Sequence, residues 1–453
     1  MKKLVAALLS LALCFSCACA EGVSKYDKMP EIFAITVTEE TRDIGDTEAF
    51  VCKEYLQTTN EKVNAELKAI VDSYDEALSP TLEMDPKKKG SKNSTLNIDV
   101  VYYRTGERWL SAMVIARINH YNEQKPVEMT TRTYDLQTGE RVTLADLFDE
   151  DSTAWNELSA GVRSHMNEIF PDESRDAAAI DDLCEPSSLM QADFTLSGME
   201  LTLHYLARDV VASAVTLTHV RFFYPELKDE MTDAGRAITD NSRWKMVAIT
   251  CDDGPKDTPS TKALNAFRKV GARVTYFTVG KQLEKYGYVL QRQYDQNHEI
   301  GSHSFHHWGG GSFKKDAGRL KELDLSAEWT YPLIGEVATL FRAPGGTYPS
   351  WEQTPMPMPI IQWSVDTYDY TGKVAKKIFF SVRNNVQDGD ILLCHDTGSH
   401  LYEAVPIFGE WLTENGYMMV TVDELARAWN VDPVDSVVYW TFREGENSVA
   451  KRE

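Results

Sequence analysis

Two adjacent acids, Asp252 and Asp253, follow the apolar run Met246-Val247-Ala248-Ile249-Thr250-Cys251 and precede the chain-turning pair Gly254-Pro255. Successive side chains on a strand point to opposite sides. At a strand end one carboxylate can therefore hold a metal while its neighbour faces a substrate or a water. Further along comes Gly301-Ser302-His303-Ser304-Phe305-His306-His307, with His303 and His307 spaced i and i+4. On a helical turn such side chains share a face, which lets both imidazoles reach one ion. One carboxylate and two histidines leave coordination positions open, as a hydrolytic metal centre requires. The pattern implies a metal-dependent hydrolase.

The elements that must position these groups begin at Trp244, where the rhythm becomes strand, helix, strand, helix. Strand 246–251 precedes a helix at 260–270, a strand at 273–279, a helix at 285–296 and Glu299-Ile300-Gly301. Later, strand 391–394 precedes a helix at 402–414 and a strand at 418–422. Such alternation predicts parallel strands covered by helices, as a barrel or an open sheet. Chemistry then belongs at the strand C-termini, where Asp252, Asp253, His395 and Asp396 fall.

The first half reads as α+β. Asn60–Tyr74 and Ala154–Ile169 carry apolar residues at helical spacing, the second burying Trp155, Leu158, Val162, Met166 and Ile169. Runs at 96–103 and 109–118 read as strands, and 194–205 as a hairpin across Ser197-Gly198. Residues 21 to about 45 read as an extended leader into this half. His120, His165, His204 and His219 are scattered and read as packed or surface histidines.

A formal charge of −22 over 453 residues repels nucleic acid and anionic membranes. Lys2-Lys3, the apolar run Leu4–Phe15 and Ala18-Cys19-Ala20 read as an export signal over residues 1–20, with Cys17 and Cys19 leaving a lipoprotein anchor open. No later run is long enough for a transmembrane helix, so the expectation is a secreted, wall-associated chain. Cys52 and Cys184 fall in one half, Cys251 and Cys394 in the other; disulfides within each half or buried thiols both fit.

From residue 244 to about 428 the chain resembles the polysaccharide deacetylase family, the NodB homology domain of carbohydrate esterase family four. Five ordered motifs carry the resemblance: Thr250-Cys251-Asp252-Asp253-Gly254-Pro255, His303-Ser304-Phe305-His306-His307, Arg342-Ala343-Pro344-Gly345-Gly346, Asp366-Thr367-Tyr368-Asp369-Tyr370, and Leu392-Leu393-Cys394-His395-Asp396. The resemblance implies a distorted (β/α) barrel of NodB type at 244–430. It also implies that Asp253, His303 and His307 hold a divalent ion, usually zinc (Zn2+), with Co2+, Ni2+ or Mn2+ left open. Asp252 would act as general base with Arg342 fixing it, and His395 as acid with Asp366 raising its pKa. A backbone N–H near Gly345 would help stabilise the oxyanion.

Tyr134-Asp135-Leu136-Gln137-Thr138-Gly139-Glu140 with Leu144–Phe148 resembles the extracytoplasmic domain that precedes some peptidoglycan deacetylases. The same domain forms the sensor ectodomain of a lysozyme-binding anti-sigma factor. The implied organisation is an accessory domain at 31–228, a linker at 229–243, the deacetylase domain and a tail at 431–453. The implied substrate is peptidoglycan, on N-acetylglucosamine or N-acetylmuramic acid, with chitin oligosaccharide or acetylxylan as alternatives. A non-catalytic protein binding wall fragments or lysozyme through the first domain is the rival reading, and a hydrolase of a non-sugar amide is a third.

The departures from the family pattern concern the walls of the cleft. Cys251 stands where phenylalanine is usual, and Cys394 just before His395; in a closed barrel they would be neighbours, and a disulfide between them is a hypothesis. Prolines at 349, 355, 357 and 359 forbid a regular helix between the third and fourth motifs. Tyr370 replaces the usual tryptophan. Trp308, Tyr348, Trp363 and Tyr370 can stack on sugar rings or pack in the core, and His306 matches no ligand position.

Overall fold

Alternating burial along the first-half strands builds one large sheet. A computed structural model describes Lys25 and residues 33–443, apart from 45–46, 83–93, 121–122, 309–315, 347–355 and 399. The expected export signal and Tyr348 lie outside the described residues. Strands β1 (Ala34–Ile44), β2 (Thr47–Gln57), β3 (Ser94–Thr105), β4 (Trp109–His120), β5 (Glu128–Asp135) and β6 (Glu140–Val142) hydrogen-bond in that order. Only β2 and β3 run parallel, because α1 (Glu61–Leu78) lies between them as a crossover. Asn60 caps α1 by accepting from the N–H groups of Lys62 and Val63. The leader expected up to residue 45 is thus strand from Ala34 onward.

Helix α2 (Ala154–Ile169) buries Trp155, Leu158, Val162 and Met166 as its spacing predicts. An antiparallel sheet of β7 (Asp193–Leu196), β8 (Glu200–Leu206) and β9 (Leu217–Phe223) completes this half. The polar stretch 229–243 is no exposed tether. It forms the helix Asp233–Ile238, and the buried Asn241 side chain donates to Gly198 O at 2.7 Å.

The second half alternates β10 (Lys245–Asp252), α3 (Asp257–Lys269), β11 (Val274–Thr278), α4 (Leu283–Asp295), β12 (Glu299–Ser302) and α5 (Asp316–Ile334). Two short strands follow, β13 (Ile360–Ile361) and β14 (Val365–Asp366), then α6 (Ala375–Asn385), β15 (Ile391–His395), α7 (Leu401–Glu414), β16 (Tyr417–Val420), α8 (Val422–Ala428) and β17 (Val438–Tyr439). The parallel order is β12-β11-β10-β15-β14, with β16 beside the start of β10. Every residue of β10 after Lys245 is buried, as a parallel strand covered on both faces must be.

The sheet curls on through bridges from Ser302 to Phe341 and from Phe341 to Ile360, and β13 pairs β17. Among the described residues no ladder joins β13 to β14, so this is an open, distorted (β/α) barrel. Part of the expected 431–453 tail is therefore structural. Cys251 and Cys394 are register partners on β10 and β15, both buried and both free thiols, so the hypothesised disulfide is absent.

Charged groups knit the halves together. Arg268 of α3 is about 1 % exposed at its side chain and reaches Glu54 through Nε at 2.8 Å and Nη2 at 2.7 Å. Arg273 meets Glu200 at 2.6 Å and Glu424 at 2.9 Å. Arg117 pairs with Asp295, and the Tyr103 hydroxyl donates to Gln296 O at 2.7 Å.

Candidate active site

Parallel strands deliver their C-terminal residues to one rim, and the motif residues meet there. Asp252 ends β10 opposite His395, its register partner on β15. Arg342 is fully buried and makes four donations: to Asp252 Oδ1 at 2.8 Å, Thr250 Oγ1 at 2.7 Å, Ile361 O at 2.9 Å and Gln362 O at 2.9 Å. Its guanidinium lies over the Phe277 ring at 4.2 Å, so the fork is held in one orientation.

Asp253 turns out of the strand in the left-handed region, with φ 74°. Its Oδ1 lies 3.0 Å from His307 Nε2 and 3.5 Å from His303 Nε2. The two histidines do not sit on a helical turn, contrary to the i, i+4 expectation. They lie in a loop after β12, where Ser304 (φ 62°) and His307 (φ 61°) reverse the chain, and this folding brings both rings to Asp253. The loop is tied down by Glu322, which accepts from His306 N–H and His306 Nδ1, each at 2.8 Å. His306 is thus a brace, in line with its failure to match a ligand position.

The donors fit a divalent cation. Ligand atoms of Asp253, His303 and His307 all lie within 4.8 Å of one another. His303 Nδ1 is 2.9 Å from Arg342 O, so that nitrogen carries a proton and Nε2, which faces Asp253, is the atom that would bind a cation. Burial pushes the Asp253 pKa up, but hydrogen bonds from His303 and His307 outweigh it and hold the carboxyl well below its usual range. His307 is shifted upward by its hydrogen bond to Asp253.

The carboxylate against His395 is that of Asp369 and not of Asp366. Asp369 Oδ1 lies 2.8 Å from His395 Nδ1, and its Oδ2 accepts the His395 backbone N–H at 2.8 Å. Burial lowers the His395 pKa, but the Asp369 hydrogen bond and charge, with Asp252 and Asp253 beyond, carry it up to about 9. Asp366 instead accepts from Tyr368 N–H at 2.7 Å and from the Tyr370 hydroxyl at 3.2 Å. Both aspartates stand in the fourth motif, and only the left-handed turn at Tyr368 (φ 56°) decides which of them faces His395.

Asp396 is fully buried behind His395, accepts from Gln293 Nε2 at 3.3 Å, and is pushed by burial up to about 7. A Cβ on Gly254 would stand 2.4 Å from its Oδ1, which explains glycine after the paired acids.

Residues 239–351 match the family model described as polysaccharide deacetylase. The C-terminal half of the chain therefore carries a polysaccharide deacetylase domain, and the enzyme class is that of a deacetylase hydrolase. The chain is 23% identical over 399 residues to the peptidoglycan-N-acetylmuramic acid deacetylase PdaC of Bacillus subtilis, covering 81% of this chain and 83% of that protein. It is 28% identical over 191 residues to a peptidoglycan-N-acetylglucosamine deacetylase of Bacillus cereus, covering 40% of this chain and 89% of the other. Among solved structures, that of the Bacillus subtilis peptidoglycan deacetylase PdaC is similar at 28% identity and TM-score 0.39, covering 41% of this chain and 92% of that one.

Proposed function

We propose that this chain hydrolyses N-acetyl groups of peptidoglycan hexosamines outside the cytoplasm, releasing acetate and leaving a free amine. One observation carries the reading: a clamped carboxylate, Asp252, and a carboxylate-bound imidazole, His395, face each other from neighbouring strands beside the Asp253, His303 and His307 cluster. A divalent cation such as zinc held by that cluster would polarise the amide carbonyl and acidify a water. Asp252 is oriented by Arg342 to accept the proton that the attacking water gives up as its oxygen bonds the acetyl carbon. His395, protonated through Asp369, donates from Nε2 to the amide nitrogen as the C–N bond breaks. The amine leaves neutral and the acetyl group departs as acetate. Peptidoglycan is favoured over chitin or acetylxylan because the Bacillus subtilis relative, named for action on peptidoglycan, matches along both halves.

The test is acetate release by the full chain from peptidoglycan, chitin oligomers and acetylxylan, with zinc and with chelator, beside Asp252→Asn. Metal-dependent release that the variant loses is the expected result, and the polymer turned over fastest names the substrate. Release that survives chelation and Asp252→Asn would overturn the mechanism. Absence of release alongside tight binding of wall fragments or lysozyme would make the chain a binding protein.

A further inference from the structure

The three most exposed aromatic side chains among the described residues are Tyr370 at 58 %, Trp308 at 48 % and Tyr368 at 44 %, and all three border the candidate site. Trp308 follows the His303–His307 loop and stacks on His306 with ring centroids 4.5 Å apart. Tyr370 stands edge-on to His395 at 5.1 Å, and Tyr368 lies beyond it at 6.3 Å. Exposed aromatic rings gathered around one cleft form the kind of patch that marks a ligand groove, and a sugar ring presents an apolar C–H face that fits them.

Tyr368 is held out by force. A bulky residue in the left-handed region is strained, and such strain gathers at ligand clamps. Here the strain is fixed by Asp366, whose Oδ1 takes the Tyr368 N–H at 2.7 Å while Oδ2 takes the Tyr370 hydroxyl at 3.2 Å. Asp366, displaced from His395, thus positions a two-tyrosine shelf. Above the Tyr368 ring, at 4.1 Å, sits the ammonium of Lys373. Lys373 has no carboxylate partner among the described residues, in a chain whose formal charge is −22. Lys376 and Lys377 follow it at the start of α6. An unpaired cation on an exposed ring beside the site is placed for an anion on the substrate.

We infer that Tyr368 and Lys373 form a subsite for the sugar next to the reacting one, Tyr368 stacking on its ring and Lys373 pairing with a carboxylate that the sugar carries. The inference deepens the proposed peptidoglycan reading, rests on it and takes N-acetylglucosamine as the reacting sugar: its neighbours in that polymer bear a lactyl carboxylate, whereas those in chitin bear none.

Acetate release by the full chain is measured on peptide-free peptidoglycan strands, on the same strands with their carboxylates methyl-esterified, and on chitin pentaose. Lys373→Met should raise KM on the free-acid strands about two- to fivefold, the range for an exposed ion pair, and leave kcat and the other two substrates unchanged. Tyr368→Ala should raise KM about three- to tenfold on all three, since the ring does not read charge. Added salt should erase the Lys373 effect. Equal shifts on all three substrates for Lys373→Met, or none, would overturn the subsite while leaving the proposed function standing. No acetate from any substrate with unaltered protein would instead overturn the proposed function, and the subsite with it.

Discussion

Replacing Asp369 by asparagine removes the largest of the interactions that hold His395 protonated and leaves the Asp252 and Asp253 charges in place. With Asp369 in place the imidazole pKa stands at about 9, against an ordinary 6.5, and its side chain is only 16% exposed, so solvent screens the pair weakly. A displacement of that size corresponds to about 3 kcal/mol in favour of the cation. At pH 7.5 it keeps roughly 97 % of the imidazole charged, whereas a pKa near 6.5 would leave about 10 % charged. Asparagine removes the charge and also sets an amide N–H2 against the His395 backbone N–H that Oδ2 now satisfies, losing about a further 1 kcal/mol.

The expected outcome is a loss of kcat/KM at pH 7.5 of up to about tenfold that shrinks as pH falls toward 5.5, where the variant's imidazole is charged again. The raised pKa sets the window: the gain in charged imidazole is largest between pH 6.5 and 9, and the matching contribution to stability is complete below 6.5 and lost as pH rises through 9. The assay is acetate release across pH 5–10 for both proteins with the same metal, whose field cancels in the difference. A basic limb that stays in place in Asp369→Asn but moves in Asp366→Asn would refute the assignment.

Other perturbations have equally definite outcomes. Arg342→Met leaves Asp252, 4 % exposed, as an unpaired buried charge, so calorimetry should find the fold weakened by about 3–5 kcal/mol and acetate release should vanish. His303→Ala should lower the divalent metal that the purified protein retains in elemental analysis, whereas His306→Ala should keep it, since its imidazole braces Glu322. Glu54→Ala leaves Arg268 with Asp99 as its remaining counter-charge in the contact between the halves; denaturant unfolding should show about 1–3 kcal/mol lost, the cost of a buried charged hydrogen bond. Gly254→Ala should drive the Asp396 carboxylate from its place and abolish release with little loss of metal.

What the sequence disclosed was local or repeated. Helix Ala154–Ile169 and the 194–205 hairpin follow from periodicity, and the strand ends carrying Asp252 and His395 follow from apolar runs that stop at acids or histidine. Its errors came where backbone handedness decides. His303 and His307 carry helical spacing, yet left-handed Ser304 and His307 make a loop, and a single left-handed tyrosine exchanges the roles of Asp366 and Asp369. Helix α5 escaped notice because its apolar residues point both ways: Leu323 and Ile334 are buried while Leu320 and Trp329 are exposed. The pairing of Arg268 with Glu54 or of Arg117 with Asp295 spans so much chain that no spacing rule reaches it.

Those cross-half ion pairs bear on how such a chain can be reshuffled. Family-level matching stops at residue 239 on the N-terminal side, as though the gene could be cut there and joined to another leader. The molecule has no such seam. A foreign partner would leave Arg268 and Asp295 sealed against a surface without their counter-charges and Arg273 with Glu424 alone, while Gln293, on the same helix as Asp295, bears on Asp396 behind His395. Substitutions at Glu54, Arg117 or Glu200 should therefore persist in descendants only alongside matching changes across the contact. The unit that inheritance can move intact is the pair of halves together.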